Sequence, residues 1–454
     1  MDGLCVMPKG TRKIRFSFDA DSLTHFGGMW LIQAFCQRLL VKKRLQEHVR
    51  LARQNQLYHP SELFLALMFC VVMGLRRINK TDILQYNGAF LDLLGLDRFP
   101  DQSTLRRFLK RLPGDTIRQL VRLHDSLRTH LSALPRRRTS LVFDIDSSVF
   151  VIYGKAEGAR VGYNPKKHGR RSYHPLFCFE AVFEEFWRGS LRPGDAASST
   201  GIFPFLNICL AKAPKDMGRS RIRFRMDSGF YSRGIVEFLD GKGCGYVIVA
   251  KEYKPLKAKA QACRFKRLSN GWEVSEFRFQ PKHWIHPHRF VVVRRPIPQD
   301  PVEARQLTLF KDKTYAYHIF VTNLKARPWR VWQFYAVRAN IEKHIRELVH
   351  DYPLAKIPTA DWTANVAFFQ LVLFACNIVH WFKRLCLPPE WRFATLDTIR
   401  TDFLVLPAQL SRHGSRNVVL LPKGYHHRQH FLQAFQTARR LRTPGNFQIC
   451  KWPR

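Results

Sequence analysis

Between Arg221 and Ala250 the sequence changes period twice, and this constrains the fold more than any other stretch. Arg221–Asp227 alternates, with Ile222, Phe224 and Met226 on one side and Arg221, Arg223, Arg225 and Asp227 on the other. Ser232 stands where a cap belongs before a short helical run, Arg233–Leu239. Gly241–Gly245 turns, and Tyr246–Ala250 is a continuous apolar strand. Strand, helix and strand in so little chain make a β-α-β unit, which predicts a parallel pair inside an α/β or mixed sheet. A further strand, Ser140–Ile152, carries two acids. Asp144 and Asp146 share one face of it, while Phe143 and Ile145 share the other. Buried carboxylates without partners are costly, so either they cap a turn at the strand's exit or something positive sits beside them.

The rest of the chain sorts around this region. Residues up to about Pro135 are helical in pattern: Trp30–Gln54 with a basic face, Ser61–Arg77 buried, and Thr81–Leu94. A capped helix then follows from Pro100 to Leu112, with Leu105, Phe108 and Leu109 on its apolar face and Arg106, Arg107, Lys110 and Arg111 on the other. Joined by the short Gly95–Asp101 link, the last two helices suit a helix-turn-helix-like unit, with a plain solvated helix as the equal alternative. After the basic break Pro135–Arg138 the pattern turns to strands, including Pro175–Phe186. Short strands and turns run from Lys254 to Asn323, with a hairpin signal at Ser269–Trp272. A helix begins near Pro328, a long apolar one covers Thr363–Leu385, and the tail holds a strand (Val418–Leu421) and a basic helix (His430–Leu441).

The charge narrows the partners. Against 35 acidic residues stand 75 Lys+Arg, a formal net charge of +40, and no acid follows Asp402. A surface so cationic repels itself unless a polyanion neutralises it, and nucleic acid is the commonest one. The ten cysteines form no Cys-x-x-Cys pair, which argues against a zinc site and against a disulfide scaffold and fits a reducing compartment. The apolar runs Leu63–Leu75 and Ala367–Val379 are too short to span a bilayer. With no signal-peptide pattern at the N-terminus, the expectation is a cytoplasmic protein with no membrane partner. His426, His427 and His430 read as a DNA-facing or solvated patch rather than a metal site.

Two more acids matter. Asp227 ends the strand before Ser228-Gly229, where a turn role is the simpler reading. On a helix, Tyr335, Arg338 and Glu342 share a face at i, i+3 and i+7, where a solvated Arg338–Glu342 ion pair is the simpler reading. Converging, Asp146, Asp227 and Glu342 would hold two Mg²⁺ ions, because hard cations take oxygen ligands and two of them clamp an in-line phosphoryl displacement.

A set of linked stretches gives these acids company: Asp144-x-Asp146-Ser-Ser followed by Tyr153-Gly154, Gly162-Tyr-Asn-Pro-Lys-Lys167, Ser172-Tyr-His-Pro175, Arg225-Met-Asp-Ser-Gly-Phe-Tyr231 and Tyr335-x-x-Arg338-x-x-x-Glu342. In this order they resemble the DDE transposases of bacterial insertion sequences, in the branch with a Tyr-Arg-Glu-Lys signature. The nearest resemblance is to insertion-sequence family 1380, related to family 4. The resemblance implies a ribonuclease-H-like α/β core with a mixed sheet, a helical N-terminal domain and a β-rich insertion before the catalytic Glu. The corresponding boundaries are 1–135 for DNA binding, 136–253 and 326–400 for the core, 254–325 for the insertion and 401–454 for a basic C-terminal region. It implies Asp146, Asp227 and Glu342 as catalytic metal ligands for two Mg²⁺, with Mn²⁺ able to substitute. Asp146 is preferred because Ser-Ser follows it, with Asp144 left open. Tyr335 and Arg338 match residues that hold DNA phosphates, and Arg106, Arg107, Lys110, Arg111, Lys166 and Lys167 are further DNA contacts. The signature's Lys is Val349 here, and its role is left to a neighbouring basic group such as Lys343 or His350, without assignment. Trp272 and Trp284 fall where some relatives stack a flipped base, although a core role suits each better. The expected activity is Mg²⁺-dependent cutting and joining of double-stranded DNA at terminal inverted repeats and at a target, by a homodimer in the DNA complex near the nucleoid. A silent DNA-binding protein, or a nuclease without strand transfer, are the alternatives.

Overall fold

The computed structural model describes residues 19–20, 22–50, 57–135, 138–164, 167–269, 271–297, 314–413, 416–443 and 447–450. These form two compact units. One gathers residues up to Gln46 with Leu51–Phe108 and Phe382–Leu441; the other holds Glu47–Arg50, Leu109–Trp381 and the C-terminal residues from Arg442.

The second unit is built on a nine-stranded mixed sheet. Its strands are β1 (Leu141–Ser147), β2 (Leu176–Glu180), β3 (Glu185–Ser190), β4 (Ile222–Met226), β5 (Gly245–Val249), β6 (Lys266–Arg267), β7 (Glu273–Phe279), β8 (His288–Pro296) and β9 (Tyr315–Thr322), in the order β6-β7-β8-β9-β5-β4-β1-β2-β3. β1, β4 and β5 run parallel, and every other neighbour is antiparallel. The β-α-β unit forms as the sequence pattern requires. Ser232 accepts from the Ile235 amide at the start of the helix Arg233–Gly241. The segment Pro175–Phe186, expected as one strand, is instead a hairpin, β2 and β3. Its turn passes through Glu184 at a positive φ of 56°, with no Gly or Pro to announce it.

Both faces of the sheet are covered. On one, Phe143, Ile145, Phe224 and Ile248 pack with the helices α1 (Ile202–Ala211) and α2 (Arg233–Gly241) through Phe205, Leu206, Ile235 and Leu239. Phe143 lies 5.0 Å from the Trp187 ring and 5.3 Å from that of Phe224. The other face meets α3 (Pro328–Ala336), α4 (Ala339–His350) and α5 (Trp362–Cys386). Val331 of α3 closes over Val247, Val291 and Phe320. Phe369 of α5 lies 5.7 Å from Phe177. Tyr335 through Glu342, expected on one helix, instead spans the break between α3 and α4, where tight turns at Val337 and Arg338 interrupt it. Strands β6–β9 continue the core sheet edge to edge, and the region before them holds a helix, Lys254–Gln261, where only strands and turns were expected. Its Lys, Ala, Leu and Gln are all good helix formers behind a Pro in the first turn.

Among the described residues α5 is the one helix long and apolar enough to cross a membrane, longer than the run read from the sequence. However, 78% of its most apolar window is buried inside the protein, as in a core helix. The basic break before β1 hides a structural residue. Arg138 is buried in an ion network with Glu180, at 3.1 Å, and with Glu185.

In the first unit the helix Pro60–Val72 is capped by His59 and Glu62, as a capping box. Trp30–Gln54 is not one helix: Met29–Arg38 and Val41–His48 are separated at Leu40, whose φ is 53°. Likewise Thr81–Leu94 divides into a tight 3-10 segment, Ile78–Tyr86, and the helix Gly88–Leu94, whose N-cap Asn87 accepts from the Phe90 amide. Leu23–Thr24 pairs with Ala408–His413, which pairs in turn with Arg416–Leu420. His427 packs on Phe403 and Trp391, at ring distances of 5.5 and 5.0 Å, so this histidine is part of a packed aromatic cluster. All nine described cysteines are free thiols.

Candidate active site

The two acids of β1 meet different partners. Asp144 is fully buried and takes a bidentate contact from Arg225 of β4, its register neighbour, at 2.5 Å from Nε and 2.7 Å from Nη2. Burial pushes the Asp144 carboxyl up, and the Arg225 guanidinium opposes that. Arg225 also donates through Nη1 to the Phe334 carbonyl of α3 at 2.7 Å. The alternation that put Arg225 beside Asp227 in sequence thus aims it at a buried acid on the adjacent strand. Asp144 is a paired structural carboxylate.

Asp146 lies two residues on, where β1 leaves the sheet. Its Oδ1 accepts from the Ser147 amide at 2.9 Å and lies 3.1 Å from Arg338 Nη2. Asp227 follows β4. Its Oδ1 accepts from the Gly229 amide at 2.9 Å, the turn role, while its Oδ2 lies 3.8 Å from Arg338 Nη2. Glu342, in the first turn of α4, places Oε1 3.5 Å from Arg338 Nη1. The three acids therefore converge on one guanidinium. Arg338 is itself only 5% exposed and also donates to the Ile145 carbonyl at 3.3 Å. The Arg338–Glu342 ion pair exists, but its arginine is inside the protein, so it is no pair on a solvated face.

The electrostatics follow from this crowding. Burial, with Asp227 and Glu342 nearby, pushes Asp146 up to about 7 although Arg338 opposes it. Burial alone would lower Arg338, yet Asp146, Tyr335 and Asp227 hold it above its ordinary range. Tyr335 packs on Phe320 at 4.8 Å, and burial raises its hydroxyl. A donor set of three carboxylates already focused on a positive charge fits a hard divalent cation.

A polar rim lies beside the acids, and no local pattern announced it. Ser147 Oγ lies 3.1 Å from Ser198 Oγ and 3.2 Å from His174 Nε2, while His174 Nδ1 donates to the Ala196 carbonyl at 2.5 Å. His174 belonged to a noted stretch without a role, and Ser198 to none; only the fold brings residue 198 to residue 147. Two glycines seal the neighbouring loops. A Cβ on Gly194 would lie 2.1 Å from the Ser172 carbonyl oxygen, and one on Gly162 2.0 Å from that of Gly194.

The remaining expected residues lie elsewhere. Arg106, Arg107 and Lys110 are on the helix Gln102–Lys110, with Arg111 just beyond it. Arg107, Lys110 and Arg111 are exposed, Arg106 half-buried, and Lys110 pairs with Asp361 at 3.0 Å. Lys167 is exposed and donates to the Tyr153 hydroxyl at 2.8 Å; Lys166 lies outside the described residues. Val349, in the place of the signature's Lys, is half-buried on α4, while Lys343 and His350 are exposed on the same helix. Trp284 is buried against Tyr231 at 5.4 Å, and Trp272 packs on Trp332 at 4.5 Å, so both have packing roles.

The profile of the family described as transposase DDE domain group 1 matches residues 6–443, nearly the whole chain. The chain belongs to that family of DDE transposases. No curated protein matches it. Among solved structures it is similar to the piggyBac transposase synaptic complex with hairpin DNA, at 11% identity over 84% of this chain and 86% of that one, with a TM-score of 0.40. It is also similar to the pre-cleavage Mos1 transpososome, at 12% identity over 52% and 84% and a TM-score of 0.17. Neither likeness is close enough to carry an argument. Within the matched residues, Asp146, Asp227 and Glu342 are the three carboxylates that meet at Arg338.

Proposed function

We propose that this DDE transposase cuts DNA at the terminal inverted repeats of an insertion sequence and transfers the freed strand to a target, with Asp146, Asp227 and Glu342 as its metal-binding catalytic set. The observation that carries the reading is the convergence of these three carboxylates, from two adjacent parallel strands and a helix, on the single guanidinium of Arg338. The strand order β3-β2-β1-β4-β5, antiparallel then parallel, favours a ribonuclease-H-like core, with β6–β9 as the insertion before Glu342. The Tyr-Arg-Glu spacing favours the Tyr-Arg-Glu-Lys branch and insertion-sequence family 1380 within it.

When bound, two Mg²⁺ ions would activate the attacking oxygen and stabilise the leaving one. The chain's own groups do the rest. Asp146 and Asp227, at the ends of rigid strands, and Glu342, on a helix packed over them, fix where a scissile phosphate can sit. Arg338 carries the positive charge that a phosphate oxygen would take up, and Lys167, Arg107 and Arg111 are exposed cations that would meet the DNA backbone. Acting on two ends implies two copies of the chain in the DNA complex. Such a protein would work at the nucleoid in the cytoplasm.

The test is cleavage of linear DNA carrying the element's ends by the purified protein with Mg²⁺, alongside Asp146→Ala, Asp227→Ala and Glu342→Ala. End-specific nicking that all three variants lose, while each still binds DNA, is the expected result. Specific binding with no cleavage by the wild type would replace the reading with a silent DNA-binding protein. Nicking without joined products would leave a nuclease.

A further inference from the structure

Behind the carboxylates the same helix takes part in a different cluster. His344 and Glu347 of α4 and His380 of α5 bring one ring nitrogen or carboxylate oxygen each to within 4.8 Å of one another. His344 Nδ1 is 3.7 Å and His380 Nε2 4.0 Å from the same oxygen, Glu347 Oε2. The side chains of His380 and Glu347 are 3% and 6% exposed, that of His344 15%. The His344 ring is further fixed by stacking on Phe179 of β2 at 4.2 Å.

The ordinary reading of such a cluster is a pair of histidines in ion pairs with a glutamate. The hydrogen bonds count against it. His380 Nδ1 donates to the Glu184 carbonyl at 2.5 Å, so in the neutral ring Nε2 carries the lone pair that faces Glu347. His344 Nδ1 is buried and makes no hydrogen bond among the described residues. A single cation at their focus would be within reach of both nitrogens and the oxygen together. The backbone carbonyl on the far side of His380 is the partner that orients a metal-bound imidazole.

We propose that His344, Glu347 and His380 bind one transition-metal ion of the zinc class. Two imidazoles and a carboxylate suit such a borderline ion, whereas Mg²⁺ prefers oxygen alone, so this site and the Asp146–Asp227–Glu342 set differ in the metal they select. Three protein ligands leave a fourth position for water. The site ties α4 to α5 beneath the sheet, and Glu342 lies on α4 just ahead of it. The role is to hold that helix in place, and the proposal does not rest on the catalytic reading.

The experiment uses the full chain, stripped with a chelator, titrated with Co²⁺ and then Zn²⁺, and followed by the visible absorption of bound Co²⁺ and by thermal melting. Wild type, His344→Gln, Glu347→Gln and the double variant Asp146→Asn/Glu342→Gln are compared, each shown folded by circular dichroism. The expected result is one equivalent of Co²⁺ in wild type and in the double variant, displaced by Zn²⁺, with a raised melting temperature on binding. His344→Gln, at the accessible edge of the cluster, should lose the absorption and the melting shift while remaining folded. The proposal is overturned if folded wild type takes up no Co²⁺ or Zn²⁺. It is equally overturned if His344→Gln and Glu347→Gln bind as well as wild type, or if the double variant alone loses the ion.

Discussion

Asp144 and Asp146 stand two residues apart on one face of one strand, yet their environments assign them opposite duties. Asp144 is neutralised by Arg225 in a closed bidentate pair; Asp146 opens toward Asp227 and Glu342 with Arg338 among them. Removing one member of a buried pair leaves the other charge uncompensated. Asp144→Ala should therefore cost about 3–5 kcal/mol in denaturant unfolding, with Asp146→Ala costing distinctly less. The double change Asp144→Leu with Arg225→Met should recover much of the loss, because an apolar pair does not demand solvation. A second buried group gives a pH signature. Burial pushes His124 down to about 4, aided by Arg128 and Lys212, and its Nε2 accepts from Asn377 Nδ2 at 2.8 Å. The native ring refuses a proton that the unfolded chain accepts from pH 6.5 downward. Stability from this group is thus complete above that pH and is lost as pH falls toward 4, by a few kcal/mol in all at about 1.4 kcal/mol per pH unit. A pH series of denaturation midpoints with wild type and His124→Phe should show the slope in the first and a flatter line in the second.

Helices and strands show which parts of this architecture were written plainly. The β-α-β unit, the alternation of β1 and the long apolar α5 were legible because each is a local periodic pattern. The β2–β3 hairpin was not, since Glu184 takes up its left-handed backbone without the Gly or Asn that usually signals it. The division of Tyr335–Glu342 between α3 and α4 was hidden for a related reason: all the residues keep right-handed geometry, and only the hydrogen-bond spacing changes. The three acids that meet at Arg338 each stand in a motif visible in the sequence. Arg225 as the partner of Asp144, and Ser198 and His174 as its polar rim, depend on strand register and loop approach, which no local pattern encodes. One contact between elements offers a direct test. A Cβ on Gly189 of β3 would fall 2.4 Å from Leu373 and 2.8 Å from Phe369 of α5, and the Gly189 carbonyl accepts from Gln370 at 3.1 Å. Gly189→Val should lower stability by about 1–3 kcal/mol by forcing the helix off the sheet, read as a fall in the urea midpoint without a change in slope.

For the whole chain, a net charge of +40 makes DNA affinity a steep function of salt. If the protein neutralises about 6–10 phosphates, its affinity for random duplex should fall about 10³–10⁵-fold between roughly 50 and 200 mM salt. Replacing Arg107 and Arg111 together should reduce the slope of that plot by about two. A shallow salt dependence in the wild type would show that the charge serves something other than the DNA backbone. The position of Arg338 has a consequence for how such a protein exists between encounters. Its guanidinium is a resident counter-ion that no physiological pH can discharge, and it offsets one of the three carboxylate charges that face it. On the proposed reading of these acids as metal ligands, an arriving ion would have to displace that occupant. A phosphate able to receive the arginine would ease that displacement, so the proposed reading predicts that metal and DNA bind this set cooperatively.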